Sequence, residues 1–100
     1  MYLVKCTCPN LRSAKGIAKK LINKKLAVCC NIINGVQSMF IWEEELSSVK
    51  ESILLIKTNK KLYSKVEREI KDLHPYQCPE IIVIPITIGN KTYLEWVESL

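Results

Sequence analysis

Two long runs of strand-forming residues lie back to back between Leu26 and Thr58, separated only by Glu43-Glu44-Glu45. The first run, Leu26-Ala27-Val28-Cys29-Cys30-Asn31-Ile32-Ile33, resumes after Asn34-Gly35 as Val36-Gln37-Ser38-Met39-Phe40-Ile41-Trp42. The second runs from Leu46 to Thr58 and contains Ile53-Leu54-Leu55-Ile56. So short a reversal makes the pair an antiparallel hairpin. Asn34-Gly35 predicts a bulge that bends the first arm without ending it. The stretch before it is apolar without clean alternation, which predicts a strand buried on both faces. These arms are about twice the usual strand length of roughly 5–6 residues. A chain of 100 residues builds no core that reaches their tip, so Phe40 and Trp42 need a partner surface there.

The flanking segments fix the rest of the architecture. Residues 2–8 alternate, with Tyr2, Val4, Cys6 and Cys8 on one face. Pro9 stops that strand and Asn10 caps a helix over 11–25, with Ala14, Ile17, Ala18, Leu21 and Ile22 as its apolar stripe. Gly16 weakens this helix by about 1 kcal/mol relative to alanine, which a close packing contact would justify. A second helix covers 60–73, with Leu62, Val66, Ile70 and Leu73 facing inward. The stretch 81–88 predicts a strand apolar on both faces, with Pro85 marking an edge or bulge. Gly89-Asn90 then turns into a short last helix bearing Tyr93, Leu94, Trp96 and Val97.

Two strand–helix–strand halves in this order predict an α+β, ferredoxin-like split βαβ sandwich: a four-stranded antiparallel sheet with two helices on one face. The chain is a single domain, residues 1–100. Its second sheet face is left open, a further argument for an oligomer.

Composition narrows the partners. No apolar run approaches the roughly 20 residues of a membrane span, and the N-terminus lacks the layout of a signal peptide. The expected compartment is the cytosol, with no membrane association. Five cysteines, an odd number, then point to free thiols and not to a disulfide framework. The net charge of +5 comes mostly from lysines spread over the two long helices, with only Arg12 and Arg68 as arginines. That pattern describes a solvated face and no nucleic-acid surface.

Chemistry concentrates in His74-Pro75-Tyr76-Gln77-Cys78-Pro79-Glu80, the connector from the second helix to the last strand. It holds the only histidine, a thiol and a carboxylate on a backbone stiffened by two prolines. Cys6 and Cys8 face the same way, whereas Cys29 and Cys30 face opposite ways, so at most one of the latter joins the former. No glycine-rich phosphate loop and no zinc-type cysteine spacing is present. Thiols of this kind are soft ligands suited to copper.

Several stretches together resemble the CutA family of divalent-cation tolerance proteins. They are Cys6-Thr7-Cys8-Pro9-Asn10, Leu26-Ala27-Val28-Cys29-Cys30-Asn31-Ile32-Ile33, Trp42-Glu43, Ile56-Lys57-Thr58, His74-Pro75-Tyr76 with Pro79-Glu80, and Gly89-Asn90 with Tyr93-Leu94 and Trp96. The resemblance implies a tight homotrimer similar in architecture to the PII signalling proteins, with hairpins packed across subunits. It also implies a non-catalytic role in tolerance of copper or another divalent metal, weakly bound. On it, Cys6, Cys29, His74 and Glu80 are the expected metal ligands. Phe40, Trp42, Lys57, Tyr76 and Trp96 are expected at the subunit interface or its cleft. Two other functions fit the same resemblance: a sensor with a small ligand in that cleft, lined by Lys57, Tyr76, Glu80 and Trp96, or a purely structural trimer. The chain departs from the family at Asn34 (commonly proline), at Glu44 (usually glycine), which predicts a hairpin tip needing no positive φ there, and at Gln77 (often glutamate). Cys78 is outside the pattern.

Overall fold

In the computed structural model, which describes residues 1–100, the elements are β1 (Tyr2–Cys8), α1 (Leu11–Asn23), β2 (Cys29–Trp42), β3 (Glu45–Thr58), α2 (Tyr63–Leu73), β4 (Ile81–Pro85) and α3 (Lys91–Glu98). The sheet order is β2-β3-β1-β4, and every pairing is antiparallel. This is the split βαβ arrangement expected from the order of segments.

Local chemistry sets the element ends. The Asn10 carboxamide accepts the Ser13 amide at 2.8 Å, and Asn90 does the same for Tyr93 at 3.0 Å. Asn59 caps a one-turn 3-10 segment, Lys60–Leu62, that leads into α2. The first helix stops two residues earlier than expected, because Lys25 turns to a positive φ of 58°.

Val4, Cys6 and Cys8 of β1, with Leu54 and Ile56 of β3, point to the helices. They bury Ala14, Ile17, Ala18 and Leu21 of α1 and Val66 and Ile70 of α2. Each fully buried large side chain of this kind contributes about 1.5–3 kcal/mol. Ile22 and Leu73, expected in the stripes, are exposed instead, since a 3.6-residue period carries the stripe's last member past the sheet's edge. Gly16 likewise has no neighbour within 4 Å of where a Cβ would stand. No packing contact in the protomer justifies it.

The hairpin gives the molecule its length. Fourteen-residue strands, rising about 3.3 Å per residue, account for the 45 Å long axis. The register slips between Ile33 and Val36, where Gly35 has φ 71°, so the bend is a bulge. Far from the helices, Ile41, Trp42 and Leu46 are 67, 64 and 68% exposed.

Three expectations about strands need correction. Regular pairing of β2 begins at Cys29, not Leu26, although Leu26 and Ala27 are buried. β2 is an edge strand, and its side chains are half-buried or exposed on both faces of the protomer. Pro85, lacking an N–H, ends β4 three residues short of Ile88. The hairpin tip also differs. Glu43 and Glu44 form a two-residue turn with φ 50° and 69°, while Glu45 already pairs with Trp42. Both positive φ values match the twist of the arms, which selects this turn over ones without strain. A left-handed backbone costs a non-glycine residue roughly 1–2 kcal/mol. Glu44→Gly is therefore expected to raise the free energy of unfolding by about 0.5–1 kcal/mol; no change in the urea midpoint would argue against strain at the tip.

Candidate metal centre

The register of the sheet sorts the five cysteines. Cys6 pairs with Leu54 and Cys30 with Ile56, so Cys6, Cys8 and Cys30 face the helices. Cys29, opposite Lys57, faces the other way, and Cys78 is exposed in the connector. All five are free thiols.

His74 ends α2 and turns inward to 7% exposure. Its ring satisfies two backbone groups at once: Nε2–H donates to the Thr7 carbonyl at 2.8 Å, and Nδ1 accepts the Tyr76 amide at 3.1 Å. The acceptor role of Nδ1 fixes the proton on Nε2. The ring is thus a buried clamp between β1 and the connector.

Thr7 lies between the two thiols, so this clamp brings the imidazole to them. Cys6, Cys8 and His74 each place one donor atom within 4.8 Å of the others, and all three residues are buried. A hydrogen bond between the two thiols is the main reason Cys6 is held above its ordinary value, with burial adding to it, and the same bond eases ionisation of Cys8. Burial, followed by the Cys29 charge, pushes Cys30 up to about 11, so it behaves as a small apolar side chain.

The remaining connector groups have protein partners. The Tyr76 hydroxyl donates to Glu51 at 2.5 Å, and burial with that bond pushes it up to about 12. Glu80 accepts from Thr7 Oγ1 and from Lys5 Nζ at 3.0 Å; Thr7 first, then Lys5, holds its carboxyl below the usual range.

Of the expected ligands, Cys6 and His74 come together. Cys29 and Glu80 lie outside that group within one protomer. Cys29 instead takes a hydrogen bond from Lys57 Nζ at 3.8 Å. Cys8 is the donor missed as a ligand from the sequence; its signal was the two-residue spacing from Cys6 on a strand. Lys57 pairs with Cys29 across the hairpin and Trp96 packs against Tyr93 on α3, whereas Tyr76 sits at the opposite end of β1 beside Glu51. The residues expected to line one ligand cleft are thus spread along the protomer. Two shallow depressions of about 330 and 550 Å³ run along α1, lined by Arg12, Lys15, Lys19 and neighbours, and neither includes the thiol–imidazole group.

The open face of the sheet carries Leu3, Ile33, Leu55, Ile82 and Ile84, with Ile82 and Ile84 each 46% exposed. α3 covers one end of this face: Val97 is fully buried there, and the N-terminal ammonium pairs with Glu98 at 2.8 Å.

The model of the CutA1 divalent ion tolerance protein family matches residues 2–100. The chain belongs to the CutA1 family. Among CutA1 relatives, the divalent-cation tolerance protein CutA of Thermus thermophilus is 40% identical over 97 residues, covering 97% of this chain and 94% of that protein. The chloroplastic CutA protein of Arabidopsis thaliana is 37% identical over 97% of this chain, which spans only 53% of that longer protein. The solved CutA1 structure from Thermus thermophilus superposes with a TM-score of 0.95 at 39% identity, covering 99% of this chain and 97% of that one. CutA1 from Oryza sativa gives 0.93 at 38% identity, covering 96 and 88%. The CutA1 fold is therefore shared in full, long hairpin included. No helix of this member is long and apolar enough to cross a membrane.

Proposed function

We propose that this CutA1 member is a cytosolic, non-catalytic homotrimer that confers metal tolerance by binding copper through thiol and imidazole groups. The observation that carries the reading is the convergence of Cys6, Cys8 and His74 in a buried group, in a chain whose relatives are named for divalent-cation tolerance. Soft sulfur and imidazole donors suit copper better than hard cations. The free thiols support a reducing compartment. The exposed apolar hairpin tip and open sheet face support self-association, since an isolated protomer would leave both in water.

Equilibrium dialysis against copper, comparing wild type with Cys6→Ala and Cys29→Ser, tests the site. Cys6→Ala is expected to lose most bound copper while Cys29→Ser keeps it. The reverse result would move the site to the open face and remove the buried group from the function. Light scattering of the wild type is expected to give three times 11.5 kDa, and a monodisperse monomer would overturn the trimer.

A further inference from the structure

The composition of the buried group selects among copper's oxidation states. Cys6 and Cys8 are 0% exposed and His74 is 7% exposed, and their donor atoms lie within 4.8 Å of one another. The set is two sulfurs and one nitrogen. The two nearby carboxylates are engaged elsewhere, Glu80 with Lys5 and Thr7 and Glu51 with the Tyr76 hydroxyl. Divalent copper favours tetragonal nitrogen and oxygen sets, and structural zinc asks for four donors. Thiolates select monovalent copper. Resting on the copper-binding reading above, we infer that Cys6, Cys8 and His74 form a low-coordinate site for Cu(I).

Cys8 makes the difference. Without it the group holds one thiol and one imidazole. The lone pair sits on Nδ1, which accepts the Tyr76 amide at 3.1 Å, while Nε2–H rests on the Thr7 carbonyl at 2.8 Å. In this tautomer Nδ1 is the ring nitrogen with a free lone pair to offer, and it would hold the ion in exchange for the Tyr76 amide. The Nε2–H bond to Thr7 stays and holds the ring, as backbone carbonyls do for histidine ligands. Each thiol that binds as thiolate releases its proton to solvent, and copper enters and leaves as Cu(I), so no electron changes hands.

The test is anaerobic competition between reduced protein and the chelator bicinchoninate for Cu(I), read by the absorbance of the chelator complex. The wild type is expected to withdraw one copper per chain. Cys8→Ala is expected to bind at least tenfold more weakly, and Cys78→Ser as tightly as the wild type. Copper-edge X-ray absorption of the loaded wild type, which needs no variant to fold, is expected to show two sulfur neighbours and one nitrogen. Equal affinity in Cys8→Ala, or a copper shell of nitrogen and oxygen alone, overturns the Cu(I) site. If the wild type leaves Cu(I) with the chelator yet retains Cu(II) in dialysis, this inference fails and the copper reading stands. If it retains neither, both fail.

Discussion

Aspartate in place of Ile84 is expected to break the proposed trimer into protomers or to leave no soluble protein. Ile84 lies on the open sheet face, 46% exposed in the protomer, beside Leu3 of β1. Its apolar neighbours on that face, Leu3, Leu55 and Ile82, offer a carboxylate no partner, and Lys5, on the same face, is already paired with Glu80. Burying such a charge between subunits costs about 3–5 kcal/mol per site, and a symmetric trimer repeats it three times. Each protomer has a marginal stability of about 5–15 kcal/mol at most, so the assembly has no reserve of that size. The protomer's own core on the helix face is untouched, because β4 side chains alternate and Val83 points there instead. Light scattering and the concentration dependence of the melting temperature read the outcome. A variant that keeps the wild-type mass would show that copies associate elsewhere, with the hairpin as the next candidate.

His74→Ala is expected to destabilise the fold by about 2–4 kcal/mol. The ring's removal leaves the Thr7 carbonyl and the Tyr76 amide without their partner, and an unpaired buried polar group costs roughly 1–3 kcal/mol. The cavity adds to that. The damage should be local first. The connector loses its hold on β1, so hydrogen exchange at Tyr76 should accelerate more than exchange in β3. His74→Gln, able to donate and accept, should recover part of the loss. A decrease below about 1 kcal/mol in urea unfolding would mean that water replaces the ring, and that the clamp contributes little.

The two predictions fall on different sides of the sheet, and the sequence prepared for them unequally. An apolar last strand was legible at Ile82 and Ile84, because strand residues alternate and each face can be read from the chain itself. The clamp was not. His74 meets Thr7 across 67 residues, and nothing near His74 in sequence announces that carbonyl. The candidate site was half legible for the same reason. Cys6 and Cys8 share a face by spacing alone, but the imidazole's approach to them, and the departure of Cys29 to the opposite face, follow from the register of β1 and β2 against β3. Glu51 carried no signal at all. It is one of many carboxylates until the Tyr76 hydroxyl reaches it. At the tip, the residue types suggested an unstrained turn, yet Glu43 and Glu44 take positive φ because the twist of two long paired arms outweighs the preference of single residues.

By itself the sequence determined what depends on neighbours a few residues away. The helix caps at Asn10 and Asn90, the bulge at Gly35 and the length of the hairpin are all of this kind. Together with the order of segments they fix the split βαβ fold. Only the tertiary structure decided which thiols meet the histidine, which carboxylates are already engaged, and which apolar face stays uncovered. Those outcomes are set by pairing register between distant strands, where a shift of one residue would send every side chain to the other face.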